Sequence, residues 1–279
     1  MMITHRFQSF GQFIDAVQAP AAMADKNRAS LNGTATFTGT DSLADAVLLA
    51  RRGWQGGTAT IERLRLRIDK MLGGSIPVPD IEYDVSGDWL DIGRFLGGEP
   101  EYFGSMVDFG RRQDAPVAKM VRVVVNIAAS QSIGEETMLM RGAAAIVLVD
   151  TLERHGIRCR IDLCHAVSNR VVKADSLETY VTVKQEGEHL SPDKLAFLLG
   201  HRSSCRRLMF AIEEHDSDDV RRQFGIGRDM GGYGIPCAAE DKGDVYLDRI
   251  LSASDWHESL TLAWLKKTLI NQGLNLEEK

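Results

Sequence analysis

Several carboxylates crowd one short stretch of the chain: Asp84, Asp88, Asp91, Glu99 and Glu101, with Trp89 and Tyr102 among them. Paired carboxylates can share acid and base work or hold a metal that activates water. A metal-assisted hydrolase is one chemistry such a cluster could serve. The same Asp and Gly residues also suit the turns of a hairpin. Within the stretch, Gly97-Gly98-Glu99-Pro100-Glu101 costs most to order, because glycine loses more backbone freedom than any other residue. Any functional surface here is expected at that loop, with Asp91, Glu99 and Glu101 as its binding residues.

Cys159, Cys164, His165, His201 and Cys205 are zinc-ligand types. Strand alternation puts Cys159 and His165 on one side and Cys164 on the other, and the close pairs of a structural zinc site are missing. No metal is expected, and the cysteines are read as small buried hydrophobes. Ser203-Ser204 near His201 lacks a strand-to-helix nucleophile turn. The glycines from Phe224 to Pro236 lack the strand and the Lys-Ser or Lys-Thr helix of a phosphate loop, and are read as a mobile surface loop. Arg206, Arg207, Arg221 and Arg222 could track a nucleic-acid backbone, with Tyr233 available for stacking. The neighbouring Glu213, Glu214, Asp216, Asp218 and Asp219 fit a solvated face of mixed charge instead.

The elements that must position these residues are legible in outline. The chain has 279 residues, 44% hydrophobic and 26% charged, which is enough for a buried core and too apolar for disorder. A net charge of −6 excludes a uniformly basic nucleic-acid surface. Four sparse cysteines fit a reducing cytoplasm. Met1 to Gln18 shows no secretory pattern, and Ala143 to Val149, the most apolar run, is far shorter than a membrane span. A soluble cytoplasmic protein without membrane contact is expected.

Phe7, Phe10, Phe13 and Ile14 predict a short helix, and Ala35–Phe37 a short strand. Helices follow from Thr40-Asp41-Ser42 to Gly53, and from Ala59 to Leu72, stopped by Gly73-Gly74. Tyr83 to Gly93 alternates around a glycine and predicts two short strands joined by a tight turn. Gly110 to Pro116 is polar and basic and marks a boundary between an α+β region over 1–115 and a second domain over 116–279.

Val121 to Ala129, VRVVVNIAA, is nearly all apolar and β-branched, as a strand buried on both faces of a parallel sheet must be. Glu135 to Arg154 predicts a helix apolar on most of its circumference, with Gly142 and Ala143 admitting a close neighbour. Arg158 to Val167 is the next strand, so a right-handed crossover is expected. Tyr180 to Lys184 predicts an edge strand, and Ser191-Pro192-Asp193 opens a helix, or a broken pair, reaching Glu214. Val245–Leu247 is a late strand, and Ser252 to Gly273 a terminal helix with Leu262, Leu265 and Leu269 inward. The fold class is α/β: a mainly parallel central sheet flanked by helices, with an α+β N-terminal extension.

This order of elements resembles a von Willebrand A (vWA) domain, a vWA/Rossmann-like architecture. The resemblance implies a first strand ending in Asp-x-Ser-x-Ser, whose oxygens help hold a divalent cation. The matching positions here are Asn126, Ala128 and Ser130, with Ser132 just beyond, so an amide and a methyl replace the carboxylate and one hydroxyl. The resemblance therefore implies a vWA-like scaffold without a working metal motif and without a cofactor. Arg141, in the following helix, could meet an acidic partner or a phosphate, or pair internally with a carboxylate such as Asp91 or Glu99.

YDVSGDWLDIGRFLGGEPEYF, joined to RGAAAIVLVDTLERHGIR, also resembles a family of uncharacterised, bacteriophage-associated proteins over about residues 40–170. Together these readings predict a non-enzymatic protein-interaction module of phage origin, working in the host cytoplasm and binding another protein. The alternative is a single-stranded-DNA-binding accessory factor in phage transcription or replication.

Overall fold

A computed structural model describes every residue except 73–79, 88, 108–118, 170–171, 173 and 275–279. In chain order its strands are β1 (Met2–Phe7), β2 (Asp80–Asp84), β3 (Trp89–Leu90), β4 (Phe103–Val107), β5 (Met120–Asn126), β6 (Arg158–Ser168), β7 (Ser176–Lys184), β8 (Ile226–Gly227), β9 (Gly232–Tyr233), β10 (Ile235–Pro236) and β11 (Val245–Leu247). The α-helices are α1 (Phe10–Gln18), α2 (Ala29–Asn32), α3 (Ala35–Thr38), α4 (Leu43–Arg52), α5 (Thr58–Met71), α6 (Ile92–Leu96), α7 (Glu135–Arg154), α8 (Pro192–Gly200), α9 (Phe210–Glu213), α10 (Asp218–Phe224) and α11 (Glu258–Asn271). They divide between two compact units, one of residues 1–73 with 120–279 and one of residues 74–119.

The larger unit is α/β. Its mixed, mostly parallel sheet has the order β1-β7-β6-β5-β11. β1 runs parallel to β7, and β5 runs parallel to both β6 and β11. β6 and β7 are antiparallel, and β10 adds an antiparallel pair beyond the end of β5, at Val167 and Ser168. β5 has neighbours on both edges and buries Val121 and Val123–Asn126, which is why its sequence carries no polar alternation.

α7 spans the predicted residues and buries fourteen of them, so it is covered nearly all round. It packs on α5, α8 and α11. The contact with α8 is intimate: a Cβ at Gly142 would come within 2.8 Å of the Gly200 amide nitrogen. α4 is capped by the Ser42 side chain, which accepts from the Asp45 amide, and stops at Gly53 with φ 96°.

Four expectations need correction. Met2–Phe7 is a sheet strand, and it covers β7, which is therefore not an edge. Ala35–Phe37 lies in α3. The glycine-rich segment from Phe224 forms the small β8–β9 hairpin and then β10, which joins the main sheet. In the smaller unit, β2 and β3 each pair with β4 and not with each other. The boundary expected at Gly110 to Pro116 and the Gly73-Gly74 stop lie outside the described residues. Among the described residues no helix is long and apolar enough to cross a membrane.

Candidate functional site

β5 ends at Asn126 because its side chain takes over the local backbone. Asn126 Oδ1 accepts from the Ala128 amide at 3.1 Å, and Nδ2 donates to the Cys237 carbonyl at 2.9 Å and to the Tyr246 hydroxyl at 3.0 Å. Fully buried, it has its amide engaged inside the protein. Ser130 follows in a turn, its amide donating to the Ile250 carbonyl at 2.9 Å, while Ser132 is exposed.

That turn is held by a guanidinium. Arg206 Nη2 donates to the carbonyls of Ser130, Gln131 and Ile133 at 3.2, 3.1 and 3.0 Å, and Nη1 to that of Phe37 at 2.8 Å. Carbonyl oxygens at the end of a strand converge on a side-chain cation. Among the described residues no group of three or more His, Cys, Asp or Glu gathers to hold a metal ion.

Arg141 rises from α7 toward the same strand end. Its Nη1 donates to the Asn126 carbonyl at 2.6 Å, and Nε and Nη2 have no partner. Burial pulls its pKa down to about 10, so it stays protonated at neutral pH. The carboxylates expected to pair with it are engaged within their own unit. Asp91 caps α6 through the Arg94 amide at 3.1 Å and accepts from Tyr83 Oη at 3.1 Å, while Glu99 meets Arg94 Nη1 at 2.8 Å.

Beside the Ser130 turn lies a pocket of about 150 Å³, bordered by Phe37, His165, Cys205, Arg206, Phe210 and Tyr233. His165 comes from β6, and its Nδ1 meets Glu213 Oε1 at 2.7 Å with both side chains buried. Burial opposes a proton on His165, but the Glu213 carboxylate and Cys205 outweigh it and raise the pKa to about 10. Burial likewise moves the Glu213 pKa up. Cys205 borders the same pocket as His165. It sits in a π-helical stretch, Ser204–Met209, a distortion that often accompanies functional positions. Phe210 and Tyr233 stack at 3.7 Å, and the Tyr233 hydroxyl donates to buried Glu214 at 2.5 Å.

The four arginines expected to form a basic edge do not share a surface. Arg206 and Arg207 are 3% and 0% exposed. Arg207 is spent on the carbonyls of Ser30, Gly33 and Thr40 at 2.6, 3.0 and 2.6 Å. Arg221 is buried against Asp218, and exposed Arg222 pairs with Asp219 at 2.5 Å. Glu213 and Glu214, read as part of a solvated face, are interior. In the sequence His165 and Cys205 stand out only as zinc-ligand types. The apolar Phe210-Ala211-Ile212 run ahead of Glu213 is the signal that this carboxylate points inward.

The smaller unit offers a different feature. Ile92, Phe95 and Leu96 of α6 are 64%, 51% and 78% exposed, with Val85 and Leu90 nearby in sequence and also exposed. Arg94 ties the adjoining loop down by donating to the Glu101 carbonyl at 3.1 Å and by resting 3.8 Å over the Tyr83 ring. The Glu101 side chain itself is exposed. Asp88 lies outside the described residues.

Fold and site together define an α/β protein with a mixed, mostly parallel sheet and a pocket at the ends of its central strands. The chain belongs to the family described as a domain of unknown function, DUF7192, which matches residues 2–275. Neither the comparison with curated proteins nor that with solved structures finds a match.

Proposed function

We propose that the protein is an interaction module, of phage association, that binds another protein through α6 and the Gly97–Glu101 loop. The observation that carries this reading is the exposure of Ile92, Phe95 and Leu96 on one short helix. Large apolar side chains grouped on a surface mark binding sites far more often than isolated ones do. Around them the charge is mostly acidic: Asp84, Asp91, Glu99 and Glu101 against Arg94. The fitting partner is a protein surface with an apolar centre and a basic rim.

The vWA-like part of the reading is supported by the loop after β5. There the Asn126 amide stands where the resemblance expects a carboxylate, and it bonds the Ala128 amide and the Cys237 carbonyl. Such a scaffold binds without an ion.

The test is affinity capture from a lysate of the encoding organism with wild type and the F95D/L96D variant side by side. The reading predicts a partner, rich in Lys and Arg at its contact face, held by wild type and lost at least about tenfold in the variant, as for a hot-spot anchor. Equal recovery by both proteins, or none by either, contradicts it.

A further inference from the structure

Protein binding through α6 leaves the pocket beside Ser130 unused, and its walls combine two kinds of surface. Phe37, Phe210 and Tyr233 are aromatic, while Arg206 and His165 bring positive charge. The two kinds lie side by side: the Arg206 guanidinium carbon sits 4.5 Å from the centre of the Phe37 ring. The pocket also lies where ligands bind in open α/β sheets, beyond the carboxyl ends of parallel strands, here β5 and β6.

The charges around it do not balance. Arg206 is buried, and its four acceptors are all carbonyls, so among the described residues no carboxylate neutralises it. Its Nη2 serves three of those carbonyls and its Nη1 the fourth, which leaves the Nε–H and one Nη1–H for a further acceptor. Burial lowers the Arg206 pKa, and the neighbouring Arg202 charge pushes it the same way. His165 donates from Nδ1 to Glu213 Oε1 at 2.7 Å, an ion pair that is neutral as a whole. A protonated imidazole is a donor at both nitrogens, so Nε2 carries a second N–H. Glu214, which takes the Tyr233 hydroxyl, is answered by Arg28 at 2.8 Å. Two cations at the pocket and the one carboxylate paired with them leave a single positive charge over. A buried charge without a counter-ion is costly.

We propose that this pocket binds a small aromatic carboxylate, with its oxygens on the remaining N–H groups of Arg206 and on His165 Nε2, and its ring among Phe37, Phe210 and Tyr233. This site goes beyond the interaction reading and does not depend on it.

The match rests on charge, shape and size. A monoanion cancels the leftover charge, whereas a phosphate dianion overshoots it. Charge-assisted hydrogen bonds from guanidinium and imidazolium to a carboxylate are about twice as strong as neutral ones. A flat ring covers the aromatic walls, which inorganic phosphate would leave without apolar contact. A cavity near 150 Å³ admits roughly a benzene-sized group, so the ring is unfused and its other substituents are small.

Sodium benzoate, benzamide and inorganic phosphate are titrated separately into the full chain, isotope-labelled, and followed by amide NMR. The proposal predicts saturable benzoate binding with a Kd of about 1 mM or tighter. The amides that move are those of residues 130–131 and 231–234. Benzamide keeps the shape without the charge, and it binds at least about tenfold more weakly, as does phosphate. Gln131 is exposed at the rim, so its charge can be changed without disturbing the interior. Q131E weakens benzoate by about threefold or more and Q131K tightens it by a similar factor, with benzamide unmoved by either. Absence of saturation by benzoate overturns the proposal. So does equal affinity for benzamide, tighter binding of phosphate, benzoate affinity indifferent to the charge at position 131, or shifts confined to other parts of the chain.

Discussion

His165 and Glu213 meet at 2.7 Å in the interior, with neither side chain reaching solvent. The imidazole is held protonated by the carboxylate, its pKa raised to about 10 from the ordinary 6.5. A base whose folded pKa is raised binds its proton more tightly in the folded state. Its contribution to stability is complete below pH 6.5 and is lost as pH climbs toward 10. Urea unfolding at pH 6.5 and pH 9.5 is expected to show this decline in wild type and a flatter profile in E213Q. Parallel profiles would contradict it.

His201 behaves in the opposite sense. It stacks on Phe197 at 5.0 Å, meets Trp54 edge-on at 4.8 Å, and accepts the Ser203 amide at Nδ1. Burial pulls its pKa down to about 4. Between pH 6.5 and 4 the unfolded chain therefore holds more protons, and stability falls as pH drops through that window. Comparing wild type with H201F in urea at pH 7 and pH 5 isolates the effect: the variant should lose less stability over that interval.

Arg206 serves four carbonyls with one planar group, and of these the Ser130 carbonyl also accepts from the Ile133 amide at 3.0 Å. R206K keeps the charge but cannot reach them all, since an ammonium is a compact point charge. Loss of about 3 kcal/mol in urea unfolding is expected, set by hydrogen bonds to a charged donor. The Ser130 turn should exchange its amide hydrogens faster in the same variant. An unchanged unfolding midpoint would show that the turn holds itself.

Gly142 tests the α7–α8 contact. In an exposed helix Gly to Ala gains up to about 1 kcal/mol. Here the new methyl would sit 2.8 Å from the Gly200 nitrogen, and overpacking of this kind costs about 1–3 kcal/mol. G142A should therefore lower the thermal midpoint, whereas a rise would place the two helices further apart.

These relationships were unevenly legible in the chain. VRVVVNIAA announces a central strand, because burial on both faces removes alternation, and α7 is bounded by readable start and stop signals. The strand expected to reach Ala129 ends at Asn126, where a side chain substitutes for the ladder. MITHRF is not legible as a strand, since each of its residues pairs with one 174 positions further along, in Ser176–Val181. Ala35–Phe37 has strand-forming residues, yet Thr38 Oγ1 donates back to the Thr34 carbonyl and Arg206 takes that of Phe37, so tertiary contacts decide the turn. The pocket was harder still. Its thiol, imidazole and carboxylate come from separate elements, and no spacing in the sequence brings them together.

A partner bound through α6 and the loop behind it would cover one defined stretch of chain. Hydrogen exchange on the protein alone and on its captured complex measures this residue by residue. The account predicts new protection concentrated in residues 85–101. Protection confined to other parts of the chain, with 85–101 exchanging as in the free protein, would contradict it.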